Sequence, residues 1–325
     1  IGPRMVVATG ALILGAGLCF TALIGQLWVG YLTYGIGVGV GAACCYVPTL
    51  ASVGGWFVKR RNTALGIAAA GTGFGTMVIA PVAARLIERY GWRTTNLMFG
   101  IAAAALLLGC AAILERPPTA TPATMTNPRI GGVYRSREFI LLYLSWALAT
   151  TALFVPFVFL PAFARDHGAG VVASALLLSL IGGTSVIGRL AFGCLADRIA
   201  VVPLFKATVL MMGVSYAIWL LSPSYIWLIV FACVLGVSYG SRISLMPGML
   251  IEYFGTQNLG AVLGVFFSSS GFSAAIGPPL AGFVVDLTGS YGWGVAFALA
   301  MGLLGFAAIV PLAMPHSIRH CAAAD

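Results

Sequence analysis

Residues 63–86 read TALGIAAAGTGFGTMVIAPVAARL, and residues 260–285 read GAVLGVFFSSSGFSAAIGPPLAGFVV. Both are runs of apolar and small residues; the first carries no charge before Arg85 and the second carries none. A bilayer core is about 30 Å thick, and a helix rising 1.5 Å per residue needs ~20 apolar residues to cross it. Both runs are long enough. Neither alternates with period two, and a span in lipid must satisfy its own backbone hydrogen bonds, so these are helices rather than strands of an outer-membrane barrel.

Working outward, eight more runs of this kind appear. Together the ten cover residues 5–24, 27–53, 63–86, 95–114, 138–163, 171–192, 203–221, 225–250, 260–285 and 293–314. Their ends are defined to ~2–4 residues. The 325-residue chain is 60% hydrophobic and 8% charged, with a mean hydropathy of +1.03, which excludes a water-soluble domain. The expected fold class is therefore all-α, a polytopic membrane protein.

The two opening stretches also match each other. Leu65-Gly66, Gly73-Phe74 and Pro81 recur 198 residues later as Leu263-Gly264, Gly271-Phe272 and Pro279. Both spans lead into Tyr-Gly-Trp, at 90–92 and 291–293, and Gly41 and Pro48 recur as Gly240 and Pro247 at an offset of 199. A nearly constant offset through successive spans indicates an internal duplication.

Residues 115–137, with Pro117, Pro118, Pro122 and Pro128, form the longest polar break and divide the spans four and six. The offset carries Ile1 onto Ile199, so the first half lacks counterparts of the two helices within 138–198. The expected organisation is residues 1–114 as inferred helices 3–6 of an amino-terminal half, 115–137 as a linker, and 138–325 as helices 7–12. Ten of twelve transmembrane helices are then present, with two preceding Ile1.

The net charge of +9 is spread over short connections instead of forming a nucleic-acid patch. Lys59, Arg60 and Arg61 form one basic connection, Arg116, Arg129, Arg135 and Arg137 another, and Arg198 with Lys206 a third. With Arg4 and Arg319 they fall on one side, which positive-inside asymmetry assigns to the cytoplasm, together with the linker and the carboxyl terminus.

Seven cysteines show no CxxC spacing, and six lie in or beside apolar runs, as packing residues do. Gly35-x-Gly37-x-Gly39-x-Gly41 and Gly71 to Gly75 follow no strand, so they read as close helix packing and not as nucleotide loops. His316 and His320 belong to a solvated tail, and no metal or cofactor is expected. No nucleophile, base and orienting group converge, so an enzyme is not expected.

Gly193-Cys194-Leu195-Ala196-Asp197-Arg198, set between two spans, resembles the cytoplasmic G-x-L-A-D-R loop motif of the major facilitator superfamily, and Ile1-Gly2-Pro3-Arg4 resembles the tail of a second copy. Within that superfamily the chain is most similar to the monocarboxylate porter group and its oxalate/formate antiporter relatives. The segments that carry this are Lys59 to Gly66, Gly71 to Gly75, Tyr90 to Arg93, Gly188-Arg189-Leu190 and Tyr253-Phe254-Gly255. Gly277 to Gly282 followed by Asp286 to Tyr291 is similar to bacterial members, which implies a bacterial inner membrane.

The resemblance implies secondary transport of a small organic carboxylate by alternating access, as a symporter or antiporter coupled to protons or a counter-anion. Efflux of drugs or lipophilic compounds and a transport-inactive, receptor-like remnant are the alternatives. In the resembling carriers an eighth-helix arginine at the position of Arg189 is implicated in anion binding. A guanidinium binds a carboxylate through two parallel charge-assisted hydrogen bonds. The other reading of Arg189 is snorkelling towards the interface near Asp197.

Arg242 lies ~25 Å along its span, too deep to face lipid, and reads either as a second anion site or as a partner of an absent group. Tyr239 and Tyr143 are candidate substrate contacts. With Tyr34, Trp146 and Phe154 they line a cavity or face lipid. Asp197, Arg198, Gly193 and Arg4 are candidates for conformational gating; the alternative is an ordinary solvated charge pair. The mammalian carriers of the resembling group place an aspartate four residues before the eighth-helix arginine, where this chain has Ser185, so their proton mechanism does not transfer.

Overall fold

The computed structural model of the chain describes residues 2–57, 59–115, 130–221, 224–255 and 259–312. The body of the expected linker at 116–129, and the tail with His316, Arg319, His320 and Cys321, lie outside these residues. Among the described residues all regular structure is helical, and ten helical spans are long and apolar enough to cross a membrane. The chain divides into two compact units, one within residues 1–58 and 75–125, the other within 59–74 and 126–325.

The first unit begins with α1 (Pro3–Ala22), whose proline occupies the first helical turn, where a missing N–H costs nothing. A short helix α2 (Leu27–Gly30) passes through a π-helical segment, Tyr31–Val38, into α3 (Gly39–Trp56). Small residues set the spacing. A Cβ on Gly10 would lie 2.6 Å from Cys44 Cβ, and one on Gly41 would lie 2.6 Å from Leu14 Cβ, so α1 and α3 touch backbone to backbone. In the glycine series Gly37 and Gly41 face a neighbour, whereas Gly35 and Gly39 have nothing within 4 Å. Alternate glycines on a helix point to different sides, so one series cannot form a single packing stripe.

The next element, α4 (Arg61–Ile113), holds two membrane-length spans, Arg61–Ile79 and Arg85–Ile113, and its kink falls within the break expected between residues 86 and 95. The backbone is helical throughout except at Gly91, with φ 78° and ψ 160°, where one glycine makes the turn. Arg85, Glu88, Arg89 and Arg93 therefore sit on helix, and Arg93 Nη2 donates to the Ile24 carbonyl at 3.2 Å.

The second unit comprises residues 61–74 of α4 with α6 (Arg137–Asp166), α7 (Val171–Leu195), α8 (Val201–Leu221), α9 (Tyr225–Phe254), α10 (Leu259–Thr288) and α11 (Tyr291–Ile309); a short α5 (Ile130–Tyr134) precedes α6. Ser136 Oγ caps α6 by accepting from Phe139 N, and Gly255 (φ 76°) and Gly289 (φ 66°) terminate α9 and α10. Pro156, Pro161, Pro247, Pro278 and Pro279 lie within continuous helices instead of ending them.

The 198-residue offset reappears as geometry. Gly91 and Gly289 are both positive-φ turns at the ends of corresponding spans. In the first unit Gly15 packs against Ala104; in the second, Gly213 packs against Gly302, each residue 198 positions on.

Candidate functional site

The α7–α9 pair builds the site. A Cβ on Gly236 would come within 2.6 Å of the Ile181 carbonyl oxygen, and Gly188 and Gly240 press still closer on the backbones of Val237 and Ser185. Ser241 Oγ donates to the Gly188 carbonyl at 3.2 Å. This contact places Arg189 of α7 beside Tyr239 of α9.

Arg189 and Arg242 are both 1% exposed, the only charged side chains among the buried residues described. Arg189 Cζ lies 5.3 Å from the Tyr239 ring centroid, and its Nε and Nη1 have no hydrogen-bond partner. The direction of this side chain decides between the two readings given above. The Arg189 carbonyl meets Gly66 of α4, while its guanidinium meets Gly73, seven residues deeper. Side chains on a helix point towards its amino terminus. Arg189 accordingly runs back along α7 past Ser185 and Val186, away from Asp197, and does not snorkel towards it. Ser185 spends its hydroxyl on the Gly182 carbonyl at 2.7 Å.

Arg242 is held differently. Its Nη2 donates to Thr150 Oγ1 at 3.0 Å, its Nη1 to the Trp146 carbonyl at 3.4 Å, and its Cζ stands 4.2 Å from the Trp146 ring centroid. Trp146 is itself anchored, its indole N–H donating to Ser270 Oγ of α10 at 2.8 Å. Arg242 Nε has no partner. Tyr216 and Tyr239 stand near enough to feel the Arg242 charge.

Every acceptor named around the two guanidinium groups is neutral, and no acidic residue occurs at 139–165, 167–196 or 198–251. Two buried cations without a carboxylate are costly in a low-dielectric interior.

Of the expected site residues, Arg189 and Tyr239 come together, while Arg242 stands against Trp146 and Thr150 of α6. Tyr143 sits one helical turn from Trp146, stacked on Phe139 at 5.9 Å and edge-on to Phe266 at 5.7 Å. Tyr34 is exposed in the first unit, and the Phe154 ring lies 6.2 Å from that of Phe157. Thr150, Ser270 and Gly73 were not singled out in the sequence as site residues; small polar residues and glycines are too common in membrane helices to stand out there.

A second constellation surrounds Asp197. Its Oδ1 accepts from Asn62 N at 3.0 Å and its Oδ2 from Thr63 N at 3.0 Å and Thr63 Oγ1 at 2.5 Å. Asn62 Nδ2 donates to the Ala196 carbonyl at 3.1 Å, and Gly193 admits the Asn62 backbone. Asp197 thus caps the exposed amide groups at the start of α4, where the helix dipole favours an anion. Arg198 is exposed, its backbone N–H bonded to the Leu195 carbonyl, and Arg4 is an exposed residue of the first turn of α1.

Ten apolar helical spans with buried cations between them define a polytopic transport protein, and comparison with known proteins agrees. The family model described as Major Facilitator Superfamily matches residues 1–203 and 142–317, and the chain belongs to that family. It is 30% identical to monocarboxylate transporter 12-B of Danio rerio, over 89% of this chain and 68% of that protein. It is 30% identical to human monocarboxylate transporter 12 (93% and 66%) and 32% identical to rat monocarboxylate transporter 3 (89% and 62%). The chain thus spans about two thirds of the length of these relatives.

Among solved structures it resembles the human organic anion transporter MFSD10, with TM-score 0.75 at 15% identity over 95% of this chain and 77% of that one. It also resembles the transporter FucP in its outward conformation, with TM-score 0.73 at 15% identity, over 95% and 83%. The chain is an integral, multi-pass transport protein and not an enzyme.

Proposed function

We propose that the protein carries a small organic carboxylate across the membrane by alternating access, with Arg189, Arg242 and Tyr239 forming the anion site. The observation that supports this most is the pair of buried guanidinium groups with unused donors and only neutral neighbours. Identity to monocarboxylate transporters supports the same substrate class. Tyr143, one turn from Trp146, borders the site.

In this reading residues 1–114 and 138–325 are the two moving halves, joined by 115–137. Asp197, with Gly193 permitting its approach, holds the start of α4 in one state and releases it in the other; Arg198 and Arg4 act on the same basic face, which lies in the cytoplasm with the carboxyl terminus. The coupling partner is a proton or a counter-anion. A bacterial inner membrane rests on the 277–291 segment alone, since the relatives named above are vertebrate.

The test is uptake of labelled small carboxylates into proteoliposomes carrying the full-length protein. Uptake is expected and falls on Arg189→Ala substitution. Wild-type rates in that variant remove the role of Arg189, and inhibition by hydrophobic cations but not by carboxylates points instead to efflux of lipophilic compounds.

A further inference from the structure

We propose that Glu252 holds a proton that locks the start of α4 onto α7 and α9, so that the Asp197 contact loosens as pH rises. The inference rests on the gating role proposed for Asp197 and is independent of the substrate. Asn62 is the residue that joins the three helices. Its backbone N–H donates to Asp197 Oδ1 at 3.0 Å and its Nδ2 to the Ala196 carbonyl at 3.1 Å. Its Oδ1 stands where Gly248 of α9 would carry a Cβ, with Asn62 Cγ 3.3 Å from that point. This oxygen is buried and has no hydrogen-bond partner among the described residues. Glu252 lies four residues beyond Gly248, on the same face of α9, and a helical side chain leans back over the turn before it. Its Oε2 is likewise buried and without a partner.

Two acceptor oxygens brought to one turn of α9 repel each other, and each forgoes the hydrogen bond that water would give it. Reversing the Asn62 amide does not help, because its oxygen would then meet the Ala196 carbonyl. One proton taken up by the Glu252 carboxylate satisfies both: the new O–H donates to Asn62 Oδ1. The charges on the elements packed around this end of α9 are otherwise placed. Arg61 opens α4, Asp197 accepts from the Asn62 and Thr63 amides, and Arg198 is exposed. Lys206 of α8 donates to the Val310 and Leu312 carbonyls at 2.9 and 2.7 Å. Arg137 and Glu138 open α6, Glu138 stands with Glu252 near Tyr253, and α10 has no ionisable residue before Asp286. When the proton leaves, a carboxylate faces the Asn62 oxygen and pushes away the residue that ties α4 to Ala196 and Asp197. The lock is therefore closed with the proton bound and loosened without it.

Amide hydrogen exchange at Asn62 and Thr63 reads the lock directly, because their N–H groups are the ones that Asp197 accepts. In the full-length protein without substrate, the protection of these amides, corrected for the intrinsic pH dependence of exchange, should fall about fivefold between pH ~6 and pH ~8. Glu252→Gln carries a permanent donor in place of the O–H, so its protection should stay high at both pH values. Equal protection of the wild-type amides at both pH values overturns the proton lock and leaves the Asp197 contact standing. A fall in Glu252→Gln as large as in the wild type also overturns it, some other group then being the one that titrates. No protection at either pH overturns the Asp197 contact as well. Infrared difference spectra of the wild-type protein between the same two pH values keep the test independent of the variant's folding. A hydrogen-bonded carboxylic acid C=O stretch is expected at the lower pH and not at the higher, and its absence at the lower pH overturns the proposal.

Discussion

Asp197 accepts two hydrogen bonds from Thr63, one from its backbone N–H at 3.0 Å and one from its hydroxyl at 2.5 Å. A carboxylate at the end of α7 thereby does for α4 what a capping residue normally does for its own helix. Asp197→Asn keeps the shape and loses the charge, and helix caps are worth ~1 kcal/mol, so the contact should weaken about fivefold. Transport rate should change with little change in substrate affinity, as measured by uptake kinetics against equilibrium binding. An affinity loss as large as the rate loss would place Asp197 in the binding site instead.

Glycines of the second unit should separate into two kinds. At Gly73 an added Cβ meets Arg189 Nη1, the mobile end of a side chain, together with Val186 Cγ2 at 2.8 Å and Ser185 Oγ at 3.0 Å. At Gly240 it meets the backbone of Ser185. Gly73→Ala is therefore expected to fold and to lose anion affinity by displacing Arg189. Gly240→Ala should cost ~1–3 kcal/mol of stability because backbone cannot step aside. Thermal unfolding in detergent, read beside ligand binding, distinguishes the two.

Trp146 positions Arg242 through its ring face and its carbonyl, and Ser270 positions Trp146. Trp146→Phe preserves a ring face and the carbonyl but frees Ser270, so binding should survive with a modest loss. Ser270→Ala leaves a buried indole N–H unpaired, at about 1–3 kcal/mol. If Trp146→Ala binds anions as tightly as wild type, Trp146 does not position Arg242.

Arg189→Lys retains the charge and gives up the fork. Because Arg189 stands over the Tyr239 ring and keeps two donors unused, the lysine variant should bind carboxylates ~10-fold more weakly than wild type. Isothermal titration with the purified protein measures it, and equal affinity would show that charge alone suffices.

Much of the fold was legible because membrane spans are long and uniform. The positions of the ten runs and the duplication follow from hydropathy and a constant offset. Arg189, Arg242 and Tyr239 stood out because arginine is rare at that depth and Tyr239 adjoins Gly240-Ser241-Arg242. The break before residue 95 is legible, but its form is not: a single glycine, Gly91, turns the chain, and positive φ has no signature in hydropathy. The inward course of the Arg189 side chain was also hidden, since spacing to Asp197 gives the distance along the helix but not the rotamer. Thr63 as a cap partner depends on a contact across 134 positions that no local pattern encodes.

The glycine contacts of α7 with α9 have a mechanical meaning. Helices pressed carbonyl against Cα have no side-chain layer to shear through, so α7 and α9 cannot slide past one another without unfolding the pair. The pair therefore moves as one stiff bar, and any rearrangement of the second unit has to take place along its other helix contacts.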